Sequence, residues 1–238
     1  MLIDPNSLAN DLQRLEDIEK TSLRFVVQAI YDFRETAQFI FANENDLVAD
    51  IGEDITREAL DKIGVSKIDQ RLFGKIDYKR ACYLFHPDYA IKQALFVDSK
   101  AEKTSGQGTA TLQTSQLSLV VRQVRAGKKL NVPGKLPPII EIDGIKFLTT
   151  TLFVKYTYGE SLTKGNTLKS ITIAALPNGM LQEFYNPSEE NTIFIAGRNA
   201  PTRGEDFRVR LSFAKLKEKA NWRVQKIELS SQKFHWEN

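Results

Sequence analysis

The spacing of apolar residues changes once along this chain, near Gly64, and that change limits the fold more than any other feature. Before it, Leu8, Leu12, Leu15 and Ile18 recur at helical spacing behind Asp4-Pro5, which offers a cap and a first-turn proline. A second stripe follows with Leu23, Val26, Val27 and Ile30, then Ala37, Ile40 and Phe41 after an interruption at Arg34. Leu47, Ile51, Ile55 and Ala59 stand four apart and predict a third helix, with Gly64 as its stop. Beyond Gly64 the pattern becomes that of strands. Residues 75–84 and 94–100 read as two strands around a turn at His86-Pro87-Asp88, followed by a polar loop at 103–108. Residues 117–124 fit helix or strand, and 127–138 read as a basic connection. Residues 146–158, 168–176, 207–213 and 222–229 are rich in β-branched and aromatic residues or alternate as strands do. Loop signals crowd residues 186–204. With no repeat and no sharp linker, residues 1–238 are expected to form a single α/β (α+β) domain. Its helical portion is 1–64 and its sheet-rich portion 65–238.

Composition removes several classes. Apolar residues make up 42% and charged residues 26%, ordinary globular usage that argues against disorder. No apolar run approaches the roughly 20 residues that span a bilayer, and the Met1-Leu2-Ile3-Asp4 start lacks a basic leader, so a soluble, cytoplasmic protein with no membrane partner is expected. The lone Cys82 allows no internal disulfide and no multi-cysteine zinc site; as a strand residue it is expected to be buried. His86 suits a turn and His235 and Trp236 a tail, while Trp222 suits the core. Two histidines leave little for a Ser-His-Asp relay.

Charge is divided unevenly. Residues 1–61 hold fourteen acids and five bases, whereas the rest holds sixteen acids and twenty-eight bases. The densest basic stretch runs from Arg198 to Lys226. Such a split suits an anionic partner for the later part of the chain, although a solvated surface of mixed charge fits it as well.

One constellation carries chemistry. Asp77 lies in the first strand and Asp98-Ser99-Lys100 closes the second. Strand alternation puts Asp98 and Lys100 on one side, and a neighbouring strand can bring Asp77 beside Asp98. Converging carboxylates, with the Ser99 carbonyl, suit a hard divalent cation, Mg²⁺ above all, which keeps waters and binds phosphate oxygens. Lys100 would orient an attacking water and offset charge on a phosphate, so no histidine base is needed. This D-x₂₀-D-x-K spacing is a loose form of the PD-(D/E)xK nuclease signature, with Ile76 where the signature has proline. Two acids and a lysine also fit an ordinary surface hairpin. The apolar run Ala94-Leu95-Phe96-Val97 before Asp98 favours the end of a buried strand.

Several segments, in order, resemble the SfiI-type type II restriction endonucleases. They are SLRFVVQA (22–29), EDITREAL (53–60), GKIDYKR (74–80), FVDSKA (96–101), TLQTSQL (111–117), LKSI (168–171), YNP (185–187) and AGRNAPTRGE (196–205). The resemblance implies a restriction-endonuclease-like core, a mixed central sheet flanked by helices. It also implies Mg²⁺-dependent cleavage of both strands of double-stranded DNA by Asp77, Asp98 and Lys100. The target it implies is an interrupted, GC-rich palindrome, and the assembly a homotetramer, with a dimer as the alternative. Related nucleases often draw a further carboxylate from the helix before the active-site strands; here Glu53 is the candidate metal ligand and Glu58 the lesser one.

Arginine paired with guanine is the commonest base-reading contact, and Asn or Gln can read adenine. Arg198, Asn199, Arg203, Arg208 and Arg210 lie along a Gly/Pro-rich loop and strand, with Arg198 and Arg203 expected at base edges. Lys79, Lys103, Gln113 and Gln116 are further candidates for DNA contact, Lys79 through alternation with Asp77. A repair or junction-resolving nuclease of the same superfamily and a non-catalytic DNA-binding module remain as alternatives.

Overall fold

A computed structural model of the chain describes residues 2–43, 48–64, 68, 72, 78–104, 108–160, 165–197, 208–231 and 233–238. Its centre is a seven-stranded mixed sheet. The strands on its main path are β1 (Leu2–Ile3), β3 (Tyr89–Lys103), β8 (Ile145–Glu160), β9 (Asn166–Leu176) and β12 (Val224–Glu228), in that order. Strands β2 (Tyr78–His86) and β7 (Ile139–Ile142) pair with β3 and β8. The β3–β8 ladder is parallel, while β8–β9 and β9–β12 are antiparallel.

Helices α1 (Leu12–Asp32), α2 (Arg34–Asn43) and α3 (Val48–Lys62) cover one face. Their apolar stripes, including Leu23, Val26, Ile30, Phe41 and Ile55, pack on Leu95, Val97, Leu152, Val154, Tyr156, Ile171 and Ile173. Against the opposite face lies a three-stranded sheet of β10 (Phe194–Ile195), β11 (Arg208–Ser212) and β4 (Thr109–Gln113), with the short helices α4 (Gln182–Tyr185) and α5 (Phe213–Lys219). Phe153, Ala174 and Val224 meet Leu112, Val209, Leu211 and Leu216 there. The central strands are thus buried on both sides, which explains their near-continuous apolar runs.

The expected helices, hairpin and sheet strands are present, and four boundaries differ. Asp4-Pro5 caps a short 3₁₀ turn (Pro5–Asn10), and α1 begins behind a second cap, with the Asp11 side chain accepting from the Arg14 amide at 3.1 Å. From there α1 runs without a break through Ile18 to Asp32, so Leu12 to Ile30 of the two expected stripes form one helix, divided at Phe33 from α2, which carries Ala37, Ile40 and Phe41. The 127–138 connection contains a strand, β6 (Lys128–Pro133), in a hairpin with β5 (Val120–Arg125). Both residues of its Ala126-Gly127 turn have positive φ, 48° and 75°, as the tight turn of a twisted ribbon requires. Finally, the segment after β11 turns into α5 at the Ser212 cap.

Gly64 ends the third helix with φ at 61°. Cys82 and Trp222 are buried. His86 closes the β2–β3 hairpin and stacks on Tyr89 at 4.3 Å. Trp236 is more than tail: it packs against the helical core, with the Arg24 guanidinium 5.2 Å from its ring.

Arg223, fully buried, joins α1 to the sheet. Its guanidinium reaches Glu19 at 2.6 Å, Glu16 at 3.1 Å and the Ala175 carbonyl at 3.4 Å. No helix among the described residues is long and apolar enough to cross a membrane.

Candidate active site

Strand β3 delivers the site. Residues Ala94 to Ser99 are all buried, and parallel pairing sets Asp98 beside Phe153 and Lys100 beside Lys155 of β8. Alternation divides the strand's side chains. Leu95, Val97 and Ser99 face the helices, whereas Asp98, Lys100 and Glu102 face the three-stranded sheet.

Asp98 is only 5% exposed, and its Oδ2 lies 3.8 Å from the Lys100 Nζ. That ammonium donates to the Thr111 carbonyl of β4 at 2.5 Å and stands 5.7 Å from the Phe153 ring. On the helix side, the Ser99 hydroxyl donates to Thr56 Oγ1 of α3 at 2.8 Å, and Thr56 shares a 2.8 Å hydrogen bond with the Tyr156 hydroxyl of β8. Burial drives the Tyr156 phenol well above its ordinary value, so it stays protonated. This hydroxyl chain fixes the strand behind the carboxylate.

Gly52 lets α3 approach closely. A Cβ there would stand 3.2 Å from Tyr156 Cδ2, 3.4 Å from the Ala101 nitrogen and 3.5 Å from the Lys100 carbonyl carbon. Glu53 beside it is half-buried and Glu58 is exposed. Both belong to the helix on the Ser99 side of β3, across the strand from Asp98.

Asp77 lies outside the described residues; the last described rung of the ladder is its chain neighbour Tyr78, opposite Val97. Among the described residues no three His, Cys, Asp or Glu side chains converge. Among the described residues, the Asp98 carboxylate and the Ser99 carbonyl are the groups that could hold a cation. One carboxylate and a carbonyl are a hard-oxygen donor set, suited to an ion such as Mg²⁺ that keeps much of its water.

A family model described as type II restriction enzyme SfiI matches residues 24–227. Type II restriction enzyme SfiI from Streptomyces fimbriatus is 35% identical over 234 residues, covering 92% of this chain and 86% of that protein. The chain belongs to the SfiI family of type II restriction enzymes. The crystal structure of tetrameric SfiI bound to cognate DNA superposes with a TM-score of 0.83 at 32% identity, covering 95% of this chain and 88% of that one. The restriction endonuclease BglI bound to its DNA recognition sequence shares the fold, with a TM-score of 0.76, 19% identity and 95% coverage of both chains.

In this SfiI-family chain, Arg208, Arg210 and Gln113 gather on one face of the small sheet. Arg208 pairs with Gln113 and Arg210 with Thr111, and the alternate residues Val209 and Leu211 are fully buried. The Arg210 guanidinium lies against Gly197, where a Cβ would come within 2.8 Å of its Nε. Lys79 is half-buried and Lys103 exposed at the end of β3. Gln116 is only 2% exposed, and its Oε1 accepts the Gln113 amide at 2.7 Å, so this side chain secures a turn. Arg198, Asn199 and Arg203 lie outside the described residues.

The sequence reading passed over Lys155 and the β4 carbonyls. Lys155 carried a faint signal, a lone cation in the apolar run Leu152-Phe153-Val154-Lys155-Tyr156. Backbone carbonyls carry none.

Proposed function

We propose that the chain hydrolyses phosphodiester bonds in both strands of double-stranded DNA at a specific, interrupted, GC-containing palindrome, using Mg²⁺. The observation that carries this reading is the buried Asp98 carboxylate 3.8 Å from the Lys100 ammonium on one face of a central strand, in a chain of this family. Asp98, Asp77 and the Ser99 carbonyl would hold the cation. The chemistry that Mg²⁺ supplies there is a more acidic bound water and partial neutralisation of the phosphate. Lys100 orients the attacking water, and its charge, anchored by Thr111, offsets the negative charge that grows on the phosphate in the transition state. Glu53 is the weakest member of the proposed set, because its helix lies on the other side of the strand.

Arg208, Arg210 and Gln113 would contact DNA from their shared face, together with Lys79, Lys103 and the 198–207 segment that holds Arg198, Asn199 and Arg203. A homotetramer in the cytoplasm is the proposed working form, following the tetrameric relative with DNA bound.

Digestion of a sequenced phage genome with Mg²⁺ tests the reading. Discrete fragments with uniform ends are expected, lost in Asp98→Ala and Lys100→Ala while DNA binding persists. Random nicking would sink site specificity. A preference for branched over linear duplex would favour a junction nuclease, and salt-sensitive binding without hydrolysis a binding module.

A further inference from the structure

Lys155 is the most deeply buried cation of the site, its side chain 1% exposed, and the reading above gives it no task. The parallel register makes it the immediate neighbour of Lys100, on the same face of the sheet. Two ammonium groups on adjacent strands, about 4.8 Å apart at the backbone, repel each other unless something separates them. The structure separates them by giving each its own anchor on β4. Lys100 donates to the Thr111 carbonyl at 2.5 Å and Lys155 to the Thr109 carbonyl at 2.8 Å. Glu102, two residues beyond Lys100 on β3, neutralises Lys155 at 2.6 Å.

Carbonyls two residues apart leave a strand along the same edge. Among the described residues, strand β4 is the outer member of its sheet, and its other edge is paired with β11, the strand of Arg208 and Arg210. The two lysines therefore stand where a further strand would otherwise pair, and they tie the arginine-bearing sheet to the strand of Asp98. Without Lys155, Thr109 would lose this tie and Thr111 would hold Lys100 from an edge fastened at one point.

We propose that Lys155, held by Glu102, is a positioning residue for DNA cleavage: it fixes β4 so that Thr111 can aim the Lys100 ammonium. This rests on the nuclease reading above. The test compares the full-length parent, Lys155→Met and the double variant Glu102→Gln/Lys155→Met. Single-turnover cleavage is measured on a 30-base-pair duplex carrying the site mapped on phage DNA, and binding to the same duplex with Ca²⁺ in place of Mg²⁺. Both variants are expected to cleave at least tenfold more slowly, with binding within about threefold of the parent.

The double variant removes the stranded Glu102 charge and so answers the question even where Lys155→Met fails to fold. A double variant at the parental rate would overturn the proposal, since Lys155 would then matter only as a counter-charge. Equal losses in binding and rate would also overturn it, by assigning Lys155 to general stability. A parent that cleaves no DNA would instead sink the nuclease reading itself.

Discussion

Replacing Arg223 with methionine should cost far more than one lost ion pair. Its guanidinium sits between the rings of Tyr185 and Trp222, at 4.3 and 4.4 Å, and bonds both Glu16 and Glu19 of α1. Burial alone would lower its proton affinity, but the Glu19 carboxylate and the Tyr185 hydroxyl more than offset this and drive the pKa up. Glu19 is equally buried and also accepts the Asn178 amide at 2.8 Å. Burial pushes the Glu19 pKa up and Arg223 opposes that push most, so Arg223→Met leaves an uncompensated buried acid. Breaking one side of such a pair costs about 3–5 kcal/mol. For a chain of this size that lowers Tm by about 6–20 °C in a calorimetric scan.

The pH dependence has a definite sign. A carboxyl whose folded pKa lies above its unfolded value favours the fold below that unfolded value and loses the benefit as pH rises through the folded pKa. The deficit of Arg223→Met should therefore grow from pH 5 to pH 8. Glu19→Gln/Arg223→Met keeps an acceptor for Asn178 and removes the charge, so it should regain about 2 kcal/mol or more over the single variant. A Tm within about 2 °C of the parent for Arg223→Met, or a double variant no better than the single, would refute the reasoning.

Three further outcomes follow from geometry already described. Burial pushes the Cys82 thiol from 9.0 and the Tyr78 phenol from 10.0 up to about 12 each. Their stabilisation is complete below the unfolded values and lost as pH rises towards 12; circular dichroism from pH 8 to 12 should record alkaline unfolding, and a flat profile would contradict it. Gly52→Val should destabilise by about 1–3 kcal/mol and slow cleavage, since its side chain meets Tyr156 and the backbone at Lys100 and Ala101; unchanged urea unfolding would count against that close approach. Arg208→Ala/Arg210→Ala should reduce the slope of log affinity against log salt by about two, and an unchanged slope would remove both from the phosphate contacts.

What was legible in the sequence was what strand and helix periods encode. The stripe from Leu15 to Ile30, the apolar run into Asp98 and the alternation of Arg208, Val209 and Arg210 each place side chains without reference to distant partners. Asp98 and Lys100 share a face for that reason alone. Strand β4 escaped notice because Thr109-Ala110-Thr111-Leu112-Gln113 is short and weakly apolar, and its partner β11 comes about a hundred residues later. Helix α5 escaped because seven residues make barely two turns, begun by a Ser212 cap that local pattern cannot distinguish from the end of a strand. Lys155 was hidden because a charge within an apolar run acquires meaning only from its register with Lys100 and its bond to Thr109.

The parallel pairing of β3 with β8 has a bearing on when this protein can become dangerous to the cell that makes it. Strand Tyr89–Lys103 leaves the ribosome well before its neighbour Ile145–Glu160, and β9, β11 and β12 come later still. Contacts this remote in sequence form slowly and only once both partners exist. On the proposed reading, a nascent chain thus already bears Asp98 and Lys100 while lacking the strands that hold them, and it stays unarmed until those strands are made.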